Sequence, residues 1–94
     1  MELRFLNDAE TGLPHICDHG VTEEEVRQVL ARPGLNLRSG RNSRSIMGQT
    51  SAGRFLKVVF VPDPDRDSGF VVTAYELRGK RLQAYRRATG RKKQ

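Results

Sequence analysis

A chain of 94 residues with a formal net charge of +6 allows one modest hydrophobic core and leaves no room for a second domain. No run approaches the ~18 consecutive apolar residues of a membrane-spanning helix, and residues 1–8 carry charges where a secretion signal needs an apolar core. The lone Cys17 excludes an internal disulfide and points to a reducing compartment, so the cytoplasm is the expected location.

Leu3 and Phe5 alternate with polar neighbours, which predicts a short strand over Met1–Leu6. Asn7 to Gly12 is rich in turn formers. Pro14 suits the first position of a short helical turn, and Gly20 suits its left-handed end. Thr22-Glu23-Glu24-Glu25 reads as a capping box, in which the Thr22 hydroxyl accepts from the Glu25 amide and the Glu25 carboxylate accepts from the Thr22 amide. Val21 and Val26 are placed as its hydrophobic staple, and three glutamates complement the positive end of the helix dipole. Val26, Val29 and Leu30 form one apolar stripe that Pro33-Gly34 ends, so a helix is predicted over 23–31. The glutamates are thereby accounted for structurally.

Arg38 to Asn42 is polar and contains glycine, hence a loop or the approach to a hairpin. Arg44–Thr50 and Arg54–Val61 read as strands joined by a turn at Ser51-Ala52-Gly53. Phe55–Val61 is almost unbroken in its apolar character, which predicts burial on both faces and a central position. Pro62 to Gly69 is an exposed connection, and Phe70–Tyr75 has the β-branched and aromatic content of a third strand. Leu82 and Tyr85, with small alanines, give a weak stripe for a helix from Lys80 to Ala88, with Tyr85 as anchor and Arg86 and Arg87 exposed. The expected fold class is α+β: an N-terminal strand and helices packed on a three- to four-stranded antiparallel meander, with a C-terminal helix. One domain is expected over residues 1–90, followed by a basic tail at 91–94.

The charge is unevenly spread. Residues 1–37 carry three basic and seven acidic side chains, a net of −4, whereas residues 38–94 carry fourteen basic and four acidic, a net of +10. That asymmetry predicts a surface that faces a polyanion. His15-Ile16-Cys17-Asp18-His19 sets two imidazoles around a thiol at helical spacing. It lacks the glutamate of the zinc protease pattern, and no second ligand cluster closes a site, so neither a metal nor another cofactor is expected. No activating partner for the Cys17 thiol can be named from its neighbours, which argues against a nucleophile. His19 fits two readings, a ring at the negative end of a helix dipole or a proton-transfer group. Arg44, Arg54, Lys57, Tyr75, Glu76 and Arg78 sit on or beside three consecutive strands, and the meander reading has them converge on one face. Guanidinium and ammonium groups beside a phenol and a carboxylate suit work on a phosphodiester. The same residues also suit a face that stays polar, or that holds phosphate without cleaving it.

His19-Gly20-Val21-Thr22 with Glu25, the apolar stripe and Arg32-Pro33 resembles the helix segment of the BrnT-type toxin family. Arg44-Ser45-Ile46-Met47-Gly48-Gln49-Thr50 followed by Gly53-Arg54-Phe55-Leu56-Lys57-Val58-Val59-Phe60 resembles its strand pair. Val72-Thr73-Ala74-Tyr75-Glu76 with Tyr85-Arg86-Arg87 is similar to its last strand and basic helix, and to a related small-domain family of unassigned function. The tryptophan-aspartate pair common near the start of BrnT proteins is absent, and Thr73-Ala74-Tyr75 stands where the family usually has Ser-Ala-Arg. The resemblance implies a RelE-like fold and a metal-independent endoribonuclease, the toxin of a type II toxin–antitoxin system. Cleavage is then by 2′-hydroxyl attack, with His19 or Glu76 as base, Arg44, Arg54 and Lys57 stabilising the phosphorane, and Tyr75 or Arg78 positioning the RNA. Arg78, Lys80, Arg81, Arg86 and Arg87 are the expected nucleic-acid contacts. The partners implied are RNA and an antitoxin covering the basic face, the chain being a monomer alone or a hetero-oligomer with that antitoxin. The alternatives are a non-enzymatic nucleic-acid-binding module using the same face, and an interaction protein that docks an acidic partner there.

Overall fold

The computed structural model describes residues 2–38, 40, 42–64 and 67–90, so the basic tail expected at 91–94 lies outside the described residues. Its first strand, β1 (Glu2–Phe5), leads through a turn to a short 3-10 helix at His15–His19. Gly20 closes that turn with φ of 70°, a left-handed backbone that glycine adopts without a Cβ penalty. Helix α1 spans Glu23–Ala31, and both arms of its capping box form, Glu25 N to Thr22 Oγ1 and Thr22 N to Glu25 Oε1, each 3.1 Å. Strands β2 (Leu35–Arg38), β3 (Arg44–Gln49), β4 (Phe55–Pro62) and β5 (Ser68–Glu76) follow, and then helix α2 (Gly79–Gly90).

The five strands form one sheet in the order β1-β5-β4-β3-β2. From β2 to β5 every neighbour is antiparallel, while β1 pairs parallel with β5 through Ser68–Val71. The fold class is α+β as expected, and β2–β5 form the expected antiparallel meander at its upper count of four, but the N-terminal strand joins it in parallel, so the whole sheet is five-stranded and mixed. Two features account for the difference. Leu35–Arg38 is a strand where a loop approach was expected to begin at Arg38, because Leu35 and Leu37 alternate over too few residues to stand out beside Pro33-Gly34. The pairing of β1 joins residues more than sixty positions apart, which no local pattern encodes. The central place of β4 follows from its apolar run, as expected.

Cross-strand partners share a face, so the register sorts the side chains. Ile46, Leu56, Val58, Phe60, Val71 and Ala74 share the face covered by Val26 and Val29 of α1 and by Ile16 of the 3-10 helix, and these residues form the core. Val29 and the Arg32 carbonyl lie so close to Gly48 that a Cβ there meets them at 3.3 and 3.2 Å, which keeps α1 tight against β3. On the other face, Leu35, Met47, Lys57 and Tyr75 form one row across β2, β3, β4 and β5. Helix α2 lies along this face, its Tyr85 buried against Phe55 with ring centroids 5.7 Å apart. Among the described residues, no helix is long and apolar enough to cross a membrane.

Leu56 is fully buried at the centre of the core. Leu56→Ala is expected to lower the unfolding free energy by about 2–5 kcal/mol, measured by urea denaturation at an unchanged m-value.

Candidate nucleic-acid interface

The period of two that builds the strands also splits the expected catalytic set. Tyr75 and Glu76 are consecutive and so point to opposite faces. Lys57 is the direct partner of Tyr75 and projects beside it. Arg54 precedes Leu56 by two residues and therefore emerges on the α1 side, at the end of the sheet. Arg44 also belongs to the α1 side, but it pairs with Phe60, toward the other end of β4 from Arg54. The expected convergence of Arg44, Arg54 and Tyr75 on one face is thus corrected: these three residues occupy different places on two surfaces.

Arg54 is a structural clasp. Its Nη1 donates to both carboxylate oxygens of Glu25 at 2.9 and 2.8 Å and to the Gly20 carbonyl at 3.1 Å, while Nη2 reaches Glu76 Oε1 at 3.4 Å. One guanidinium therefore joins the end of the 3-10 helix, the first turn of α1 and the end of β5. Glu76 is held from the other side by Arg78 Nη2 at 3.0 Å. That hydrogen bond, together with the charges of Arg78 and Arg54, keeps the Glu76 carboxyl below its ordinary value against the upward pull of burial. A carboxylate committed to two arginines is a poor proton acceptor, which removes Glu76 from the candidate bases.

Around Tyr75 the structure does gather functional groups. The 3-10 helix packs against β5 and brings the His19 ring to 6.2 Å from the Tyr75 ring, edge to face. His15, one turn earlier, stands edge-on to His19 at 5.2 Å. Lys57 Nζ lies 5.9 Å from the Tyr75 ring centre, and the Arg81 guanidinium, from the start of α2, lies 5.6 Å from it. Both are cation–π distances. The Tyr75 ring thus has the His19 imidazole and two cations as neighbours, with His15 behind His19, and Lys57, Tyr75 and Arg81 line a groove of about 380 Å³ floored by Met47 and Leu35 and walled by α2. Farther along α2, Arg86 lies 5.3 Å from the Phe55 ring centre, and Arg78, Lys80 and Arg87 are exposed. From the sequence His15 reads only as a candidate metal ligand, and Arg81 only as one of several basic contacts. The i, i+4 spacing of the two histidines was the signal for the first, whereas nothing local ties Arg81 to Tyr75. Cys17 is an exposed thiol. Among the described residues, no three His, Cys, Asp or Glu side chains are grouped to hold a metal ion.

A small α+β domain with an aromatic, cationic sheet face is the class that this geometry defines. By sequence the chain belongs to the family described as Domain of unknown function (DUF4258), whose profile matches residues 16–76. That span runs from the 3-10 helix to the end of β5 and contains His19, the Arg54 clasp, Lys57 and Tyr75. Neither the curated proteins nor the solved structures gave a match to the chain.

The clasp gives a pH dependence whose sign follows from Glu76. Its folded pKa lies below the ordinary 4.5, so its stabilisation is complete above pH 4.5 and is lost as pH falls below that through the folded value. Glu76→Gln is expected to melt below wild type near neutral pH, with the gap closing as the pH is lowered past 4.5. A gap that stays constant on acidification contradicts this assignment.

Proposed function

We propose that the chain is a metal-independent endoribonuclease that binds single-stranded RNA on the β4–β5–α2 face, in keeping with the resemblance to BrnT-type toxins. The observation that carries the reading is the gathering of His19, Lys57 and Arg81 about the Tyr75 ring, with all but His19 drawn from the strongly basic half of the chain. Lys57 and Arg81 supply positive charge where the phosphoryl oxygens gain negative charge, and they replace Arg44 and Arg54 in that role. His19 is the base for the 2′-hydroxyl, and His15 is the second imidazole, able to return a proton to the departing 5′-oxygen. Tyr75 orients the nucleotide by stacking or through its hydroxyl. Arg78, Lys80, Arg86 and Arg87 hold the flanking phosphates. A RelE-like architecture and an antitoxin that covers this face belong to the same proposal, supported by the run of antiparallel strands with α2 alongside.

A non-enzymatic nucleic-acid-binding module on the same face is favoured by one observation. Arg54 and Glu76, two of the residues expected to do chemistry, are consumed by the clasp. Base–aromatic stacking on Tyr75 and a lining of cations are sufficient for binding alone.

Incubating the purified protein with single-stranded RNA in the presence of a chelator separates the two. The nuclease reading expects fragments ending in a 2′,3′-cyclic or 3′-phosphate, and a loss of roughly 10²–10⁴-fold in rate for His19→Ala with RNA affinity largely kept. Lys57→Ala is expected to reduce the salt slope of binding by about one. Intact RNA under these conditions, with tight salt-dependent binding, supports the binding module instead. Cleavage that appears only with added divalent metal contradicts the mechanism.

A further inference from the structure

We infer that Arg38 and Arg44 form a phosphate-binding site at the end of the sheet remote from the Arg54 clasp and on the face opposite Tyr75. Arg38 and Arg44 are direct partners in the β2–β3 register, so their side chains leave the sheet on one face. Like charges set directly opposite each other destabilise a strand pair unless something neutralises them. Among the described residues nothing does. The Arg44 Nη1, among the described residues, donates only to the Asn36 amide oxygen, at 3.5 Å, and Arg38 makes no hydrogen bond or ion pair with them. The nearby carboxylate is already engaged: Asp63 accepts from Arg4 through both oxygens at 2.9 Å and from the Ser68 hydroxyl.

The two arginines line a groove of about 460 Å³ between the β2–β3 hairpin and the connection leaving β4, with Asn42 and Ser43 beside them as neutral donors and Asp63, committed to Arg4 and Ser68, in its wall. Two guanidinium groups hold about ten N–H donors in planar forks. A carboxylate offers one edge to such a fork, whereas a tetrahedral phosphate offers separate pairs of oxygens to two forks at once. The chemistry recognised is therefore that of a phosphate group, either a free phosphate or the backbone of a nucleic acid. Register keeps this site apart from the Tyr75 surface, because Arg44 aligns with Phe60 and Val71 while Tyr75 aligns with Lys57 and Met47. The site stands whether or not the chain cleaves RNA.

Thermal unfolding in inorganic phosphate against chloride at matched ionic strength tests it, using Arg38→Gln and Arg44→Gln with Arg27→Gln, exposed on α1, as the control. Phosphate at about five times its dissociation constant is expected to raise the wild-type Tm by roughly 4–8 °C over chloride. Either site substitution is expected to lose that rise, and the control to keep it. In dilute chloride, Arg44→Gln is expected to melt no lower than wild type, because a repulsion has been removed. If Arg44→Gln also lowers the salt slope for a single-stranded oligonucleotide by about one, the ligand is a nucleic-acid backbone. If the slope is unchanged while the phosphate rise is lost, the ligand is a free phosphate group. A rise that survives both substitutions, or a wild type that phosphate stabilises no more than chloride, overturns the site.

Discussion

The Arg54 guanidinium is the interaction on which the rest of the arrangement depends. Its two nitrogens join the Gly20 carbonyl, the Glu25 carboxylate and Glu76, so a single residue at the mouth of β4 ties the Gly20–Glu25 stretch to the distant end of β5. Glu25 is doubly committed, since Oε1 also accepts from the Thr22 amide in the capping box. Helix α1 therefore starts where the clasp holds it. The 3-10 helix ends one residue before Gly20, so the same clasp sets the position of His19 against Tyr75. A charged side chain that is only partly exposed and hydrogen-bonded to three residues serves this purpose well, because losing one partner leaves the others with unpaired charge.

The consequence for function is a division of labour between faces. The α1 side of the sheet is given to the core and the clasp, and the opposite side carries the aromatic and cationic groups. Helix α2 forms a wall to that second side through Tyr85 and brings Arg81 and Arg86 over the rings of Tyr75 and Phe55. Of the positive charge in the later part of the sequence, Lys57, Arg81 and Arg86 lie on this second side, whereas Arg54 and the Arg38–Arg44 pair lie on the other. The glutamates of α1, by contrast, are used locally, at the helix start and on Arg54.

Much of the fold was legible because its signals are local. The Thr22–Glu25 box and the Val26, Val29 and Leu30 stripe mark α1 with its observed ends, and the apolar run of Phe55–Val61 marks the central strand. Turn chemistry placed Gly20 and the Ser51-Ala52-Gly53 corner, where Gly53 has φ of 96°. The edges of the sheet were harder. Strand β2 is only four residues long with most of its positions exposed, and β1 is fixed by a distant parallel pairing. The site was legible in its residue types but not in its geometry. His19, Lys57 and Tyr75 do meet, whereas Arg54 and Glu76 turn away from them because one residue's difference in a strand exchanges faces. A carboxylate–arginine clasp and a catalytic pair look alike as a list of residues, and only the register distinguishes them.

The central claim is that nucleic acid is held against the Tyr75 side of the sheet rather than the α1 side. Ultraviolet cross-linking of single-stranded RNA to the protein, with the adducts mapped by mass spectrometry, measures this directly. The account predicts adducts at Tyr75 and on neighbouring residues of α2, lost in Lys57→Ala at moderate salt. Adducts confined to α1, or no adducts at salt concentrations where RNA remains bound, contradict it.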